Sequence, residues 1–166
     1  KRLTNGAFDV TSLLGVDYDS GAVFYQAADE SPLQRNIYKT TIDRGVTTKL
    51  SVNAGYNSAV FSNNGKYFVN NWTNSAKPNV ITLHNSNGKL LRTLQTNESV
   101  AEKVRQANFP EKEFIKVPAA DGLTQLNGWM IKPSTFDSNK KYPVLMVQYS
   151  GPNSQQVLDR FGIDWY

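Results

Sequence analysis

Asp19-Ser20-Gly21-Ala22-Val23-Phe24 and Asn63-Asn64-Gly65-Lys66-Tyr67-Phe68 are two copies of one pattern, and this repeat decides the fold. In each copy a polar turn that contains glycine leads into a segment that ends in phenylalanine. The copies lie about 44 residues apart, which is in the range of propeller blades. The match continues from residues 36–40 to 79–83 and from residues 48–50 to 92–94. The sequence therefore predicts a tandem β repeat.

Each copy is predicted to form four strands. In the second copy these are residues 58–61, 67–72, 79–83 and 90–94, separated by turns whose Gly and Asn residues allow the positive φ that hairpins need. A four-stranded antiparallel meander at this period is typical of a β-propeller, although a sandwich of two packed sheets would show similar strands. The repeat favours the propeller. Residues 1–4 overlay residues 48–51, so we expect the chain to begin on the last strand of a preceding blade.

The pattern changes after Thr96. Asn97 can cap a helix, and Glu98 suits a helix N-terminus because its charge complements the helix dipole. Four apolar residues then share one helical face before Pro110 ends the pattern. They are Val100, Ala101, Val104 and Ala107. These features predict one short amphipathic helix, so residues 97–110 are interpreted as a linker between residues 1–96 and a second domain in residues 111–166.

Three strands are predicted after the helix. Residues 113–117 and 125–132 form a pair around the turn Ala119-Ala120-Asp121-Gly122. Residues 142–148 are mostly apolar and are bounded by Pro143 and by Ser-Gly-Pro, which predicts a strand buried on both faces. Tyr149 then lies at the C-terminal edge of that strand, where ligands bind in open α/β sheets. The predicted fold class is mainly β, with about two blades, a helix and the first strands of a further domain.

Composition excludes several classes of function. The apolar share of 39% is enough for a core, and the net charge of +4 is scattered, so we expect no nucleic-acid binding. The chain contains no cysteine and one histidine, which rules out thiolate chemistry and an N/S zinc site. No phosphate-binding loop is present, and no apolar run is long enough to span a membrane. We therefore expect no metal and no cofactor.

The sequence contains a candidate hydrogen-bond donor for an oxyanion but no candidate nucleophile. Tyr149, held by a rigid turn, can donate a hydrogen bond to developing negative charge. A serine triad needs a histidine, but His84 lies at a strand end, where a lone histidine is usually structural or solvated. Ser150 lacks the first glycine of the Gly-x-Ser-x-Gly elbow and is not interpreted as a nucleophile.

Two further groups of residues have ordinary structural interpretations. The acidic residues Asp17, Asp19 and Asp29-Glu30 lack the spacing of a calcium loop, so we expect solvated turns. Trp72, Tyr67 and Tyr56 could form a sugar-stacking platform, but aromatic residues in strands more often belong to the core.

Several segments resemble the dipeptidyl peptidase IV branch of the prolyl oligopeptidase family. They are Asn36-Ile37-Tyr38, the repeat segment 61–69, Gly128-Trp129-Met130-Ile131-Lys132-Pro133, and Lys140-Lys141-Tyr142-Pro143-Val144-Leu145 followed by Tyr149-Ser150-Gly151-Pro152 and Gln155. The resemblance runs along essentially the whole chain. The segments after residue 127 are the more specific ones, because propeller repeats alone are weak indicators of a family.

The resemblance implies a propeller of eight blades, of which residues 1–96 would hold roughly the last two. Residues 111–166 would hold the N-terminal part of a truncated α/β-hydrolase (peptidase) domain. The family's enzymes are serine-type peptidases that remove N-terminal dipeptides with proline or alanine at the second position. Tyr149 matches the tyrosine whose hydroxyl helps to form the oxyanion hole. Ser150 stands where many relatives have Gly or Ala, and we expect this change to be tolerated.

The family's nucleophile, acid and base, and the glutamates that hold the substrate amine, match no residue of this sequence. We therefore expect the chain alone to lack peptidase activity, and to self-associate because blades cut from a ring expose edges and faces. The resemblance also implies peptide substrates and an exported parent protein, periplasmic or in the cell envelope. The alternative interpretations are a non-catalytic propeller binding module or pseudo-enzyme, and a carbohydrate-binding β-sandwich.

Overall fold

The computed structural model describes residues 2–149, 151 and 154–162. Two antiparallel sheets of four strands each follow one another along the chain. The first contains β1 (Val10–Asp17), β2 (Ala22–Ala27), β3 (Asn36–Thr41) and β4 (Thr47–Lys49). The second contains β5 (Tyr56–Phe61), β6 (Tyr67–Asn74), β7 (Lys77–Asn85) and β8 (Leu90–Gln95). Each sheet is a meander in which every strand pairs with the next, so the predicted mainly β fold class and the tandem repeat are confirmed.

The repeated glycines have the same backbone conformation in both copies. Gly21 has φ 60° and Gly65 has φ 65°, which lies in the left-handed region that glycine enters without steric cost. Gly65 is also a point of close approach, because a Cβ atom there would lie 2.8 Å from Cβ of Asp17. The turn of the second sheet therefore rests against the end of β1 in the first sheet.

The apolar core lies between the two sheets. Phe24 of β2 and Phe68 of β6 occupy equivalent places in the repeat, and both are buried. The ring of Phe61 stacks on both of them, with centroids 4.2 Å from Phe24 and 4.8 Å from Phe68. Burying a phenylalanine side chain contributes about 1.5–3 kcal/mol, so these three rings are a main attachment between the sheets. Ala22, Ile37 and Leu50 complete the buried cluster.

A polar seam joins the sheets beside this core. Arg35, just before β3, forms a parallel bridge with Tyr56 of β5. The N–H of Arg35 donates to the carbonyl of Gly55 at 3.0 Å, and its own carbonyl accepts from the N–H of Asn57 at 2.9 Å. The buried Asn57 side chain donates to the same carbonyl at 3.0 Å. These polar groups can be buried because they are hydrogen-bonded to one another.

The single helix among the described residues, α1 (Glu98–Gln106), lies after β8 and contacts β7. The predicted cap by the Asn97 side chain is wrong. Asn97 adopts φ 54° and forms no side-chain cap, because its amide donates instead to the carbonyl of Asn79 at 2.6 Å. The predicted apolar face is only partly covered, since Ala101 and Val104 are half-buried while Val100 is exposed.

The predicted strand pair after the helix is confirmed. β9 (Lys112–Pro118) and β10 (Gln125–Ile131) form an antiparallel hairpin. The predicted buried strand at residues 142–148 is wrong, since these residues form no strand and Val144 and Leu145 are 88% and 90% exposed. The physical reason is that a strand needs a partner, and no described residue pairs with this segment.

That residues 1–4 belong to the last strand of a preceding blade stays a prediction, because its pairing partners would lie in that blade. Residues 2–4 are not paired with any described strand, and Lys1 lies outside the described residues. No helix in the described part of the chain is long and apolar enough to cross a membrane.

Candidate functional site

Tyr149 is the predicted site residue, and the structure leaves its side chain 63% exposed. It follows an extended segment rather than a paired strand, so the predicted strand edge does not position it. Its ring lies directly over Gly151, where an added Cβ atom would come within 2.8 Å of both Cε1 and Oη of Tyr149. The absence of a side chain at position 151 is therefore what permits this placement of the phenol.

Gly151 is hydrogen-bonded to a segment that lies on the two sheets. The N–H of Ser154 donates to the carbonyl of Gly151 at 3.3 Å. Ser150, Pro152 and Asn153 lie outside the described residues, so the interpretation of Ser150 as a non-nucleophile remains a prediction. Residues 154–162 run along the loops of both sheets.

The segment 154–162, which we call the docked segment, is attached at several points. The carboxylate of Asp159 accepts from the N–H of Ser75, at 2.8 Å, in the turn between β6 and β7. The N–H of Asp159 donates to the carbonyl of Leu33 at 2.8 Å, in the loop before β3. The N–H of Phe161 donates to the hydroxyl of Thr73 at 3.3 Å. These bonds reach both sheets, so the docked segment spans the seam between them.

Arg35 makes the other attachment. Its side chain is only 7% exposed. Nη1 donates to the carbonyls of Pro32, at 3.0 Å, and Gln34, at 2.7 Å, while Nη2 donates to Oε1 of Gln155 at 2.6 Å. The amide of Gln155 in turn donates to the carbonyl of Pro32. Burial lowers the pKa of the Arg35 guanidinium, and neighbouring Tyr56 and Asp9 offset part of this decrease.

Known proteins resemble the chain along almost its whole length. Residues 1–79 match the family described as the dipeptidyl peptidase IV N-terminal region. The structure superposes on the crystal structure of Porphyromonas gingivalis dipeptidyl peptidase 4 with a TM-score of 0.93 and 48% identity, over 99% of this chain and 23% of that one. A putative dipeptidyl aminopeptidase IV from Bacteroides ovatus gives a TM-score of 0.83 and 27% identity, over 97% of this chain and 22% of that one.

The curated relatives agree. A probable dipeptidyl-aminopeptidase B from Chaetomium globosum is 33% identical over 98% of this chain and 18% of its own length. A probable dipeptidyl peptidase 4 from Aspergillus flavus is 30% identical over 96% of this chain and 21% of its own length. The chain is thus similar to dipeptidyl peptidases along almost its whole length. It spans about a fifth of the length of these two relatives.

His84 has a structural role. It is 8% exposed and its ring stacks on Phe68 at 4.9 Å. Its nitrogens lie 3.0 Å from the carbonyl of Gly88 and 2.9 Å from the hydroxyl of Thr82. Both ring nitrogens are occupied by these local contacts, so His84 is not placed to act as a general base.

The acidic residues have structural partners, and one of them is not solvated as predicted. Asp17 is 3% exposed, because the turn that contains Gly65 covers it. Asp29 accepts from the hydroxyl of Tyr38, and Glu30 pairs with Lys49 at 2.7 Å. No group of three or more potential metal ligands occurs in the described ranges 2–149, 151 and 154–162.

The three aromatic residues of the hypothetical sugar platform do not share one surface. Trp72 and Tyr67 are five residues apart on β6, so their side chains lie on opposite faces of the sheet. The indole N–H of Trp72 donates to the carbonyl of Ala54 at 2.9 Å. Tyr56 lies under the guanidinium of Arg160, which is 5.5 Å from its ring centroid. Tyr56 is thus part of the contact with the docked segment.

Sequence reasoning missed Arg35 as a member of the site. One arginine before a strand carries no recognisable motif, and its role depends on a partner 120 residues away. Gln155 was included only as part of the family resemblance. The alternation of polar and apolar residues does not predict the contact between Arg35 and Gln155. It indicates which face of a strand is buried, but not which distant segment covers that face.

Proposed function

We propose that this chain is part of a serine-type dipeptidyl peptidase that releases N-terminal X-Pro or X-Ala dipeptides from peptides. The observation that carries the proposal is the exposed phenol of Tyr149, which lies over Gly151, whose carbonyl accepts from the N–H of Ser154 in the docked segment. The similarity to dipeptidyl peptidases along almost the whole chain supports the reaction class.

In the proposed reaction, Tyr149 is an oxyanion donor. When a nucleophile attacks the scissile carbonyl, the oxygen gains negative charge and accepts a hydrogen bond from the phenol. The bond strengthens as charge develops, so it stabilises the transition state more than the bound substrate. The nucleophile, acid and base are proposed to come from parts of the parent protein outside this chain, because the sequence contains no Gly-x-Ser-x-Gly elbow.

Substitution of Tyr149 in the complete parent protein tests this role. Tyr149→Phe keeps the ring and removes only the hydroxyl, so kcat on a Gly-Pro chromogenic substrate should fall by about a hundredfold or more with little change in KM. The matched control is Tyr18→Phe, which removes a hydroxyl from a side chain that is 89% exposed. An unchanged kcat for Tyr149→Phe would contradict the proposed role.

The chain by itself is proposed to be inactive, because an acyl-enzyme cannot form without the nucleophile. Release of chromophore by the purified 166-residue chain, abolished by Tyr149→Phe, would overturn this part of the proposal. We further propose that the substrates are peptides, that no cofactor takes part, that the protein forms homo-oligomers, and that the parent protein is exported to the periplasm or cell envelope. The last of these rests on the family resemblance.

A further inference from the structure

Arg35 lies where three parts of the molecule meet. Its backbone joins the first sheet to Gly55 and Asn57 of the second, and its side chain reaches the docked segment through Gln155. Arg35 is the one lysine or arginine among the described residues that is buried, and the three acceptors of its guanidinium are neutral oxygens. Burying a charged group is costly unless its donors are satisfied, so this arrangement depends on all three bonds.

A short series of contacts leads from this arginine to the phenol. Gln155 follows Ser154, whose N–H donates to the carbonyl of Gly151. Gly151 in turn lies beneath the ring of Tyr149. A shift of Gln155 is therefore transmitted through Ser154 to Gly151, which supports the phenol. Since an oxyanion donor must lie within hydrogen-bonding distance of the developing charge, a displacement on the order of 1 Å would matter.

We propose that Arg35 is a positioning residue for Tyr149, acting through Gln155, Ser154 and Gly151. This inference rests on the proposed function of Tyr149 as an oxyanion donor. Arg35 does not reach the reacting atoms by itself. It fixes the end of the docked segment nearest to Tyr149, so the position of the phenol depends on the seam between the two sheets.

The geometry explains why arginine is needed at this position. A guanidinium is planar and presents several N–H donors in a fixed fork, so one group can serve Pro32, Gln34 and Gln155 together. Lysine has one nitrogen on a flexible stem and is more strongly hydrated. Arg35→Lys should therefore lower kcat less than Arg35→Met does, but it should not reach the kcat of the wild type.

The effect of losing Arg35 should be local. The far end of the docked segment is held separately by Asp159, which bonds to Ser75 and Leu33. Removing the guanidinium leaves those bonds in place, while Gln155 loses its bond to Arg35 and keeps its own bond to the Pro32 carbonyl, so the segment should stay docked at residue 159 and loosen at residue 155. The expected consequence is a misplaced phenol and not a detached domain.

The test compares Arg35→Met in two backgrounds of the complete parent protein. With Tyr149 present, kcat on a Gly-Pro chromogenic substrate should fall by about ten- to a hundredfold, as for a misplaced catalytic group, while KM changes less than about threefold. In the Tyr149→Phe background the same substitution should lower kcat by no more than about twofold, because the group that it positions is already absent. The matched control is Arg44→Met, whose side chain is 81% exposed.

Gln155→Ala is the second variant, because it removes the same contact from an exposed side chain and does not depend on a buried substitution being tolerated. It should lower kcat in the same direction, and adding Arg35→Met should have little further effect. Hydrogen exchange should show faster exchange of the Ser154 amide in both variants, with the Ser75 amide still protected.

The possible outcomes separate the two proposals. If Tyr149→Phe leaves kcat unchanged, the proposed function of Tyr149 fails and the Arg35 inference fails with it. If Tyr149→Phe lowers kcat but Arg35→Met does not, or lowers it equally in both backgrounds, only the Arg35 inference is overturned. A fall in kcat that depends on Tyr149 and is shared by Gln155→Ala supports the inference.

Discussion

Nζ of Lys66 lies 3.1 Å from Oδ2 of Asp17, and this ion pair joins the repeat turn of the second sheet to the last residue of β1 in the first. The Asp17 side chain is 4% exposed and that of Lys66 is 40% exposed. A hydrogen bond from the Ser20 side chain, aided by Lys66, lowers the pKa of Asp17 to about 2. The folded state therefore favours the ionised form of the Asp17 carboxyl group.

This relationship predicts a specific dependence of stability on acid. The pKa of Asp17 is lower in the folded chain, about 2, than its ordinary value of 3.8. The stabilisation is therefore fully present above pH 3.8 and is lost as the pH falls toward 2. Asp17→Asn should lower the melting temperature near neutral pH, and the difference from wild type should shrink across that acid range.

Thermal unfolding followed by circular dichroism at a series of pH values would measure this difference. The control is Asp19→Asn, because Asp19 also approaches Lys66, at 3.4 Å, but its side chain is 83% exposed. A difference between wild type and Asp17→Asn that stays constant down to pH 2 would contradict the assignment.

The close approach at Gly65 predicts an asymmetric pair of substitutions. Alanine at Gly21 or Gly65 must adopt positive φ, which costs about 1–2 kcal/mol at either position. Nothing lies within 4 Å of a Cβ atom at Gly21, whereas one at Gly65 would lie 2.8 Å from Cβ of Asp17. Gly65→Ala should therefore lower the free energy of unfolding by about 1–3 kcal/mol more than Gly21→Ala, as overpacking does. Denaturant titration of both variants measures the difference, and equal losses would argue against a close contact between the sheets here.

The contact between Gly151 and Tyr149 predicts a kinetic effect without a large effect on folding. In Gly151→Ala the new methyl group would overlap the phenol ring, and the ring can move because it is the exposed end of a side chain. In the complete parent protein kcat should fall by about tenfold or more, since the phenol is displaced from its site. Gly15→Ala is the control, because its added Cβ would meet its nearest neighbour at an ordinary 3.6 Å. Steady-state kinetics that show equal kcat values for the two variants would count against this placement of Tyr149.

The exposed apolar run predicts self-association of the 166-residue chain. Val144, Leu145 and Met146 are 80–90% exposed, and contiguous apolar surface of this kind promotes association in water. Leu145→Glu should lower the average mass measured by light scattering. Leu123→Glu places the same charge at an isolated leucine that is 87% exposed, and it should leave the mass unchanged. Monomer alone across a wide range of wild-type concentrations would contradict the prediction.

The sheets could be predicted from local sequence because their strands pair with neighbours along the chain. Gly21 and Gly65 mark turns of known geometry, and the strands between them alternate in the expected way. The segment around Leu145 has equally strong strand composition, but composition does not supply a pairing partner. Asn97 has the right residue type for a cap, yet the carbonyl of Asn79 competes for its side chain, and sequence spacing does not reveal that contact.

The site was less predictable than the fold. Tyr149 was identified by its position after an apolar run and by the family resemblance, and its catalytic role stays a prediction, as do the domain boundaries after residues 96 and 110. Arg35 and Asp159 were not identified, because their contacts join segments more than 80 residues apart. Polar contacts at such separations depend on the packed geometry of both sheets, which no local pattern encodes.

The docked segment also constrains the order in which the chain can assemble. The strands of each sheet contact their immediate successors, so both sheets can form while later residues are still being synthesised. The bond between Arg35 and Gln155 closes a separation of 120 residues and cannot exist until the ribosome has released residue 155. Until then the Arg35 guanidinium lacks one of its three acceptors. The attachment of the docked segment to Arg35 can therefore form only after both sheets have been synthesised.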